Sequence, residues 1–367
     1  MPAHARVRMY ELKPDFEQVL NRFEAWWQAA ILDRPLVSFS YARPSAFCVP
    51  VPVSAHTDHR QRWLDVDFAV DSAAARLHNT IFGGDALPVA YPNLGPEVFS
   101  AFYGCPLVFT ESTSWTQPIL ADWDTAEQLV LDQSNQYYQL ILQLTDALIE
   151  LGRGRFLVGY TDLHGGGDAV AAFRDPQQLC LDVLERPEDV RDLVDQVTVD
   201  FLRTYDCYHH KLQAAGMHSV TWLPATCRGR MHVPSNDFSC MISQELFEDL
   251  FIPGIVQECR HMDRCIYHLD GPQALRYLDL LLEIPEIDAV QWVPGAGQSH
   301  WADWIDVYRR IQAAGKPFVM YPPAAELDQV FAALRPEGVW LNVSGVADED
   351  TAQSVIHAVS RWTGTVD

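Results

Sequence analysis

The strongest chemical signal in the chain is a histidine and an aspartate two residues apart at the end of an apolar run, His268-Leu269-Asp270-Gly271. On a β-strand that spacing puts the imidazole and the carboxylate on one face. There they can share a metal ion or work as an acid–base pair. Asp237-Phe238-Ser239-Cys240 is a second candidate, offering a carboxylate to orient a substrate or carry a proton beside a hydroxyl and a thiol. Asp162-Leu163-His164-Gly165-Gly166-Gly167-Asp168 is a third, with a histidine between two acids. Its glycines bare backbone N–H groups to a close ligand, but no Lys-Ser/Thr follows as a P-loop demands. His209-His210 and His56/His59 lack partners at metal-ligand spacing and read as surface residues.

Such residues need a scaffold that aims them at one place. From about residue 150 short apolar runs alternate with amphipathic helical patterns, the βαβ rhythm. Strands are expected at 155–160, 219–223, 265–269, 288–292, 317–321 and 338–343, and two more at 36–41 and 87–91. Helices are expected at 15–31, 66–81, 125–150, 187–215, 243–262, 272–283, 302–314, 324–334 and 348–362. Eight strands without a Gly-rich first turn favour a single (β/α)8 TIM barrel over a doubly wound sheet. Residues 1–367 would form one domain with a helical lead-in over about 1–35, and the Pro-rich segments 42–65 and 92–124 would be long βα loops over the C-terminal mouth. That mouth is where a barrel keeps its chemistry. The residues expected there are Arg43 after the first strand, His164 after the third, Arg230 after the fourth, His268 and Asp270 at the fifth, Trp292, Tyr321, Trp340 and Asn342.

Composition bounds the partners. Forty-nine acidic against 26 basic residues give a net charge of −23, with 48% apolar and 20% charged residues. A nucleic-acid footprint needs a basic face and an anionic membrane would repel this surface, so neither partner is expected. Eight cysteines without a CxxC pair or a framework spacing read as reduced thiols, and no segment has the pattern of a signal peptide or a membrane span. A cytoplasmic enzyme, monomeric or homodimeric, acting on a small molecule is the expectation.

Several segments in order carry a resemblance: Phe82-Gly83-Gly84-Asp85, Leu184-Glu185-Arg186-Pro187-Glu188-Asp189-Val190, Asp237 followed by Met241-Ile242-Ser243-Gln244-Glu245-Leu246-Phe247-Glu248, Tyr267-His268-Leu269-Asp270-Gly271 and Leu341-Asn342-Val343-Ser344. With these the chain resembles the uroporphyrinogen decarboxylase superfamily, which also contains the methylcobalamin:coenzyme M and related corrinoid methyltransferases. The resemblance implies a (β/α)8 barrel. The Gln-Ala-Gly-Arg-Tyr segment of the true decarboxylases has no counterpart, Arg43 being the nearest residue. In the methyltransferase branch zinc is held by His-x-Cys and a further Cys; His268 matches the histidine, while Asp270 and Trp340 stand at the cysteine positions.

The resemblance therefore implies a methyltransferase-like enzyme acting on a small methylated substrate, with a corrinoid on a partner protein. His268 and Asp270 would form a polar centre or hold zinc or another divalent metal, with Glu111 or His164 as helpers. Asp237 would move a proton or orient the leaving group, and His164 and Arg230 would line the mouth. Trp292, Tyr321 and Trp340 would enclose an apolar or cationic methylated group by cation–π contact. Asn342 would contact substrate. Two alternatives stand beside this: a decarboxylase of a tetrapyrrole or other carboxylate, using Arg43 or Arg230, and a non-catalytic corrinoid- or small-molecule-binding barrel.

Overall fold

The computed structural model describes residues 10–362 except 296, 298 and 299. Eleven strands are described: β1 (Leu36–Ala42), β2 (Thr80–Gly84), β3 (Val89–Ala90), β4 (Leu107–Phe109), β5 (Ser114–Thr116), β6 (Leu157–Val158), β7 (Met231–His232), β8 (Arg264–Asp270), β9 (Ala289–Val293), β10 (Phe318–Met320) and β11 (Val339–Asn342). Seven form one sheet in the order β2-β1-β11-β10-β9-β8-β7. All its pairings are parallel except β1 with β2. β3 and β6 make a separate parallel pair, and β4 and β5 an antiparallel hairpin. The fold is therefore mixed α/β, with helices packed on a mostly parallel sheet. Among the described residues no helix is long and apolar enough to cross a membrane.

Seven of the eight expected strands form within a residue or two of their predicted cores. The eighth does not: 219–223 is irregular, and the strand forms at Met231–His232, in register with Arg264 and Cys265 of β8. A ladder needs a partner along its length. The 219–223 segment has a single backbone bond to a neighbouring strand segment, Tyr160 N to Val220 O (3.0 Å), and is otherwise held by side chains, Thr221 Oγ1 on Tyr160 O (3.1 Å) and the Ser219 hydroxyl on Met231. The segment 231–235 continues alongside β8 to a bridge between Ser235 and His268. The helix expected over 243–262 breaks in two, Gln244–Leu250 and Ile252–His261, because Pro253 can stand only in the first turn of a helix. Ser243 caps the first half by accepting from Leu246 N. The Gly165–Gly167 run opens a helix, Gly166–Arg174.

The N-terminal helix Phe16–Trp26 buries Phe16, Val19, Leu20, Phe23 and Trp26. Trp26 Nε1 donates to Gly338 O just before β11, and Trp27 Nε1 to Thr226 O. The helix thus covers the N-terminal ends of the strands. Its clamp is Asp85, fully buried directly after β2. Arg34 holds both Asp85 carboxylate oxygens (2.5 and 3.1 Å), Arg22 reaches one of them (3.1 Å), and Val37 N donates to the other (2.9 Å). Asp85 N returns a bond to Val37 O (2.6 Å), so one residue ties the helix, β1 and the turn after β2. Removing one partner of a buried ion cluster leaves the others uncompensated, which costs about 3–5 kcal/mol. Asp85→Ala should lower unfolding free energy in urea by that order; a loss below about 1 kcal/mol would show that the two arginines find solvent instead.

Candidate functional site

β8, β9 and β10 lie side by side and bring their C-terminal ends to one place. His268 pairs in register with Gln291 of β9, which also pairs with Val319 of β10. His268 Nδ1 lies 2.7 Å from the buried Gln291 Oε1, and Gln291 Nε2 donates to the Tyr321 hydroxyl. An amide oxygen only accepts, so Nδ1 carries the proton and Nε2 keeps a free lone pair. Burial, partly opposed by the Gln291 bond, lowers the His268 pKa and keeps the ring neutral. Trp222, from the displaced 219–223 segment, sets its ring edge-on to His268 at 5.3 Å.

Ligand atoms of His268, Asp270 and Asp237 lie within 4.8 Å of one another. Asp270 Oδ1 is buried with no hydrogen-bond partner among the described residues. Asp237 opens a short turn, Asp237–Met241, whose cap is Asn236. Although Asp237 is exposed as a residue, its carboxyl is crowded by protein. Lost hydration first, then the charges of Asp168, Asp270 and Asp162 against the opposing His164, push it up to about 7. That places a proton-exchanging carboxyl beside a neutral imidazole.

The third sequence signal folds against the same site. His164 Nε2 lies 3.0 Å from Asp162 Oδ1, and its Nδ1 is 3.0 Å from Ser235 Oγ and 3.7 Å from Asp168 Oδ2. Ser235 also donates to Asp168 (2.9 Å), and Phe238 N reaches the other Asp168 oxygen (3.1 Å), which fastens the Asp237 turn to this loop. Burial disfavours the His164 imidazolium, but Asp162 and Asp168 outweigh it and raise its pKa well above the ordinary value. A cavity of about 270 Å³ is lined by His164, Asp168, Asp237, Glu97, Phe238 and Met241 among others.

Beneath lies a buried pair, His232 and Glu258, their Nε2 and Oε2 atoms 3.8 Å apart, of which Glu258 carries no signal in the sequence. Tyr160 OH donates to Met231 O (3.0 Å) and faces His232 Nδ1 (3.2 Å). Burial, then Asp168, pushes Glu258 up to about 8, while burial, then His164, drops His232 to about 3, so both are neutral near pH 7. Glu258 and Asn236 explain two of the three glycines. A Cβ on Gly165 would sit 2.7 Å from Glu258 Oε1 and one on Gly167 2.4 Å from Asn236 Nδ2. The close approach they permit is by the protein's own side chains.

Five expected site residues lie elsewhere. Arg230 precedes β7, at the strand end opposite Ser235, and pairs with Asp206 at 3.2 Å; it was assigned to the mouth only because the fourth strand was placed at 219–223. Trp340 is fully buried against Phe23 (5.2 Å) and Trp26 (5.8 Å) of the N-terminal helix, with Nε1 on Ser38 Oγ (2.9 Å), so it belongs to the base. Trp292 is fully buried and packs on Trp304 at 5.2 Å, on the face of β9 opposite Gln291. Arg43 is spent on the carbonyl of His78 at 2.5 Å. Asn342 shares the Trp340 face of β11 two residues nearer the C-terminal end, and Tyr321 touches the site through Gln291. Glu111 does not join the cluster; it lines a separate chamber.

No family model matches the chain and no curated protein matches it in sequence. In structure the chain is similar to a methyltransferase from Methanosarcina mazei, with a TM-score of 0.58 and 10% identity over 94% of this chain and 98% of that one. That likeness is one of fold: the chain has a methyltransferase-like α/β architecture.

Glu258 yields a prediction in pH. Its folded-state pKa of about 8 lies above its unfolded value of 4.5, so the folded state holds more protons between those values and wild-type stability falls as pH rises through the window. Glu258→Gln removes that titration. The stability of the variant relative to wild type should therefore climb from pH 5 to pH 8, by at most about 1.4 kcal/mol per pH unit. Parallel stability–pH curves for the two proteins would show that Glu258 is already ionised in the fold.

Proposed function

We propose that the chain is a methyltransferase-like enzyme of the uroporphyrinogen decarboxylase superfamily, a single closed (β/α)8 barrel acting on a small methylated substrate at the Asp237–His268–Asp270 centre. The observation that carries the reading is the convergence of those three side chains within 4.8 Å at the C-terminal strand ends. The fold likeness to a methyltransferase supports the reaction class. The hydrogen bonds from Asp85 to Val37 and from Tyr160 to Val220 support closure, since the first ties the segment leading into β3 to β1 and the second ties the end of β6 to the 219–223 segment.

A divalent cation, zinc or a harder metal, fits the residues present. Asp270 Oδ1 is buried and orphaned, Nε2 of His268 carries a free lone pair, and Asp237 completes a nitrogen–oxygen donor set. Such a set suits zinc or manganese, and is less suited than thiolates to a soft metal. Bound there, the cation would act as a Lewis acid that favours the deprotonated form of an acceptor or polarises a leaving group. The Gln291–Tyr321 line fixes the His268 tautomer, as the outer partners of ligating histidines do. With the cation bound, Asp237 would stay ionised as a ligand; without it, its carboxyl, pushed up to about 7, exchanges a proton with the reacting group at the cavity. His164, held as imidazolium between Asp162 and Asp168, supplies the positive charge that lets three neighbouring carboxylates coexist. A decarboxylase requires arginines gathered at the mouth to bind its substrate's carboxylates; Arg43 and Arg230 are both engaged elsewhere.

With methylcobalamin and a panel of thiols, or with methylated amines and ethers and cob(I)alamin, the protein is expected to transfer a methyl group. Asp237→Asn should lower kcat about 100-fold or more, as loss of a general acid–base group does. Absence of turnover in both panels contradicts the proposal.

A further inference from the structure

A second chamber, of about 400 Å³, lies between the helices His59–Leu64, Val66–His78 and Gln136–Gly152 and the β4–β5 hairpin. Tyr91, just beyond the C-terminal end of β3, forms part of its wall. Burial, then the charge of Asp162, pushes Tyr91 up to about 12, so this wall lies within electrostatic reach of Asp162.

Two groups of the chamber have no partner among the described residues, the Ser72 hydroxyl and the Arg76 guanidinium. Ser72 is 1% exposed and lines it, yet its Oγ has no hydrogen-bond partner among the described residues. A buried unpaired hydroxyl costs about 1–3 kcal/mol, which a bound polar group would offset. Arg62 and Arg76 both line the chamber, and no carboxylate among the described residues pairs with either. The carbonyls of Thr110 and Glu111 fix Arg62, whereas the Arg76 guanidinium is left without a partner there. In a chain of net charge −23 this wall carries two arginines and one acid, Glu111; Arg76 and Glu111 both reach its exposed rim. Trp63, Phe68 and Tyr91 add flat apolar surface, and Trp63 is held in place by its Nε1 bond to Thr110 O (2.9 Å) and its contact with Phe109 (5.7 Å between rings).

We infer that this chamber binds a planar aromatic acid, with the carboxylate on Arg76, the ring against Trp63 and Phe68, and a polar substituent on Ser72. Binding stands on these residues alone. Only the further step, that the acid is the substrate and presents its methylated end past Tyr91 to the Asp237 centre, rests on the function proposed above.

The test is calorimetric titration of the full chain with benzoate, 4-hydroxybenzoate, benzyl alcohol and benzylamine. The two acids are expected to bind saturably, and the alcohol and the amine about tenfold more weakly or not at all. Arg76→Ala, at an exposed position, should bring benzoate down to the level of benzyl alcohol and leave the alcohol unchanged. Ala73→Leu, which narrows the chamber, should weaken every ligand. Equal binding of acid and alcohol, no saturation by either acid at millimolar concentration, or an unchanged benzoate affinity in Arg76→Ala overturns the inference. Because no methyl transfer is read, its failure is distinguishable from failure of the turnover panels.

Discussion

Asp162, Asp168, Asp237 and Asp270 meet at one end of the sheet, and among the described residues no lysine or arginine forms an ion pair with any of them; two histidines stand in their midst. Like charges about 4 Å apart repel by roughly 4 kcal/mol at an effective dielectric near 20. The surroundings answer that repulsion in separate ways. His164 holds a proton between Asp162 and Asp168, whose remaining oxygen takes the Phe238 N–H. Asp237 titrates near neutrality instead of remaining ionised. Glu258, just below, is a neutral acid, so it adds no fifth charge. The proposed cation at Asp237, His268 and Asp270 is the remaining answer, and it falls where the orphaned Asp270 oxygen lies.

This crowding is tolerable because the other end of the molecule is rigid. The N-terminal helix seals the base with Trp26, Trp27 and Phe23 against Trp340 and the Gly338 and Thr226 carbonyls. Asp85 locks that seal to β1. From β1 the sheet runs through β11 and β10 to β9 and β8, so the register that aligns Gln291 with His268 is set by packing far from the charges. His268 and Asp270, held at a strand end, are placed more precisely than a loop would place them, and the Asp237 turn is fastened beside them by the bond from Phe238 N to Asp168.

Much of this was legible in the residues. Strand alternation alone put His268 and Asp270 on one face, and the Asp237 turn and the Asp162–His164–Asp168 loop were both visible as polar breaks after apolar runs. What stayed hidden depended on parity and pairing. In 288–292 the tryptophan draws attention, yet Gln291 is the residue that faces His268; a one-residue shift exchanges the two faces of a strand, and nothing local says which is inside. Trp340 misleads for a different reason. It shares the Asn342 face but stands two residues nearer the base, where the N-terminal helix, remote in sequence, fills the space. The segments 219–223 and 231–235 both have strand-like composition, and only pairing with β8 selects the second, which moved Arg230 to the far end. Glu258 sits in a helix with no local signal, and only the Cβ-free approach of Gly165 marks where it lies.

The central claim is that Asp237, His268 and Asp270 form a cation-binding centre. Its most direct test is calorimetric titration of chelator-treated protein with zinc and with manganese, for the wild type and for Asp270→Asn. The account predicts one saturable site per chain in the wild type and an affinity at least about tenfold lower in the variant. No saturable uptake by the wild type, or the same affinity in both proteins, would contradict it.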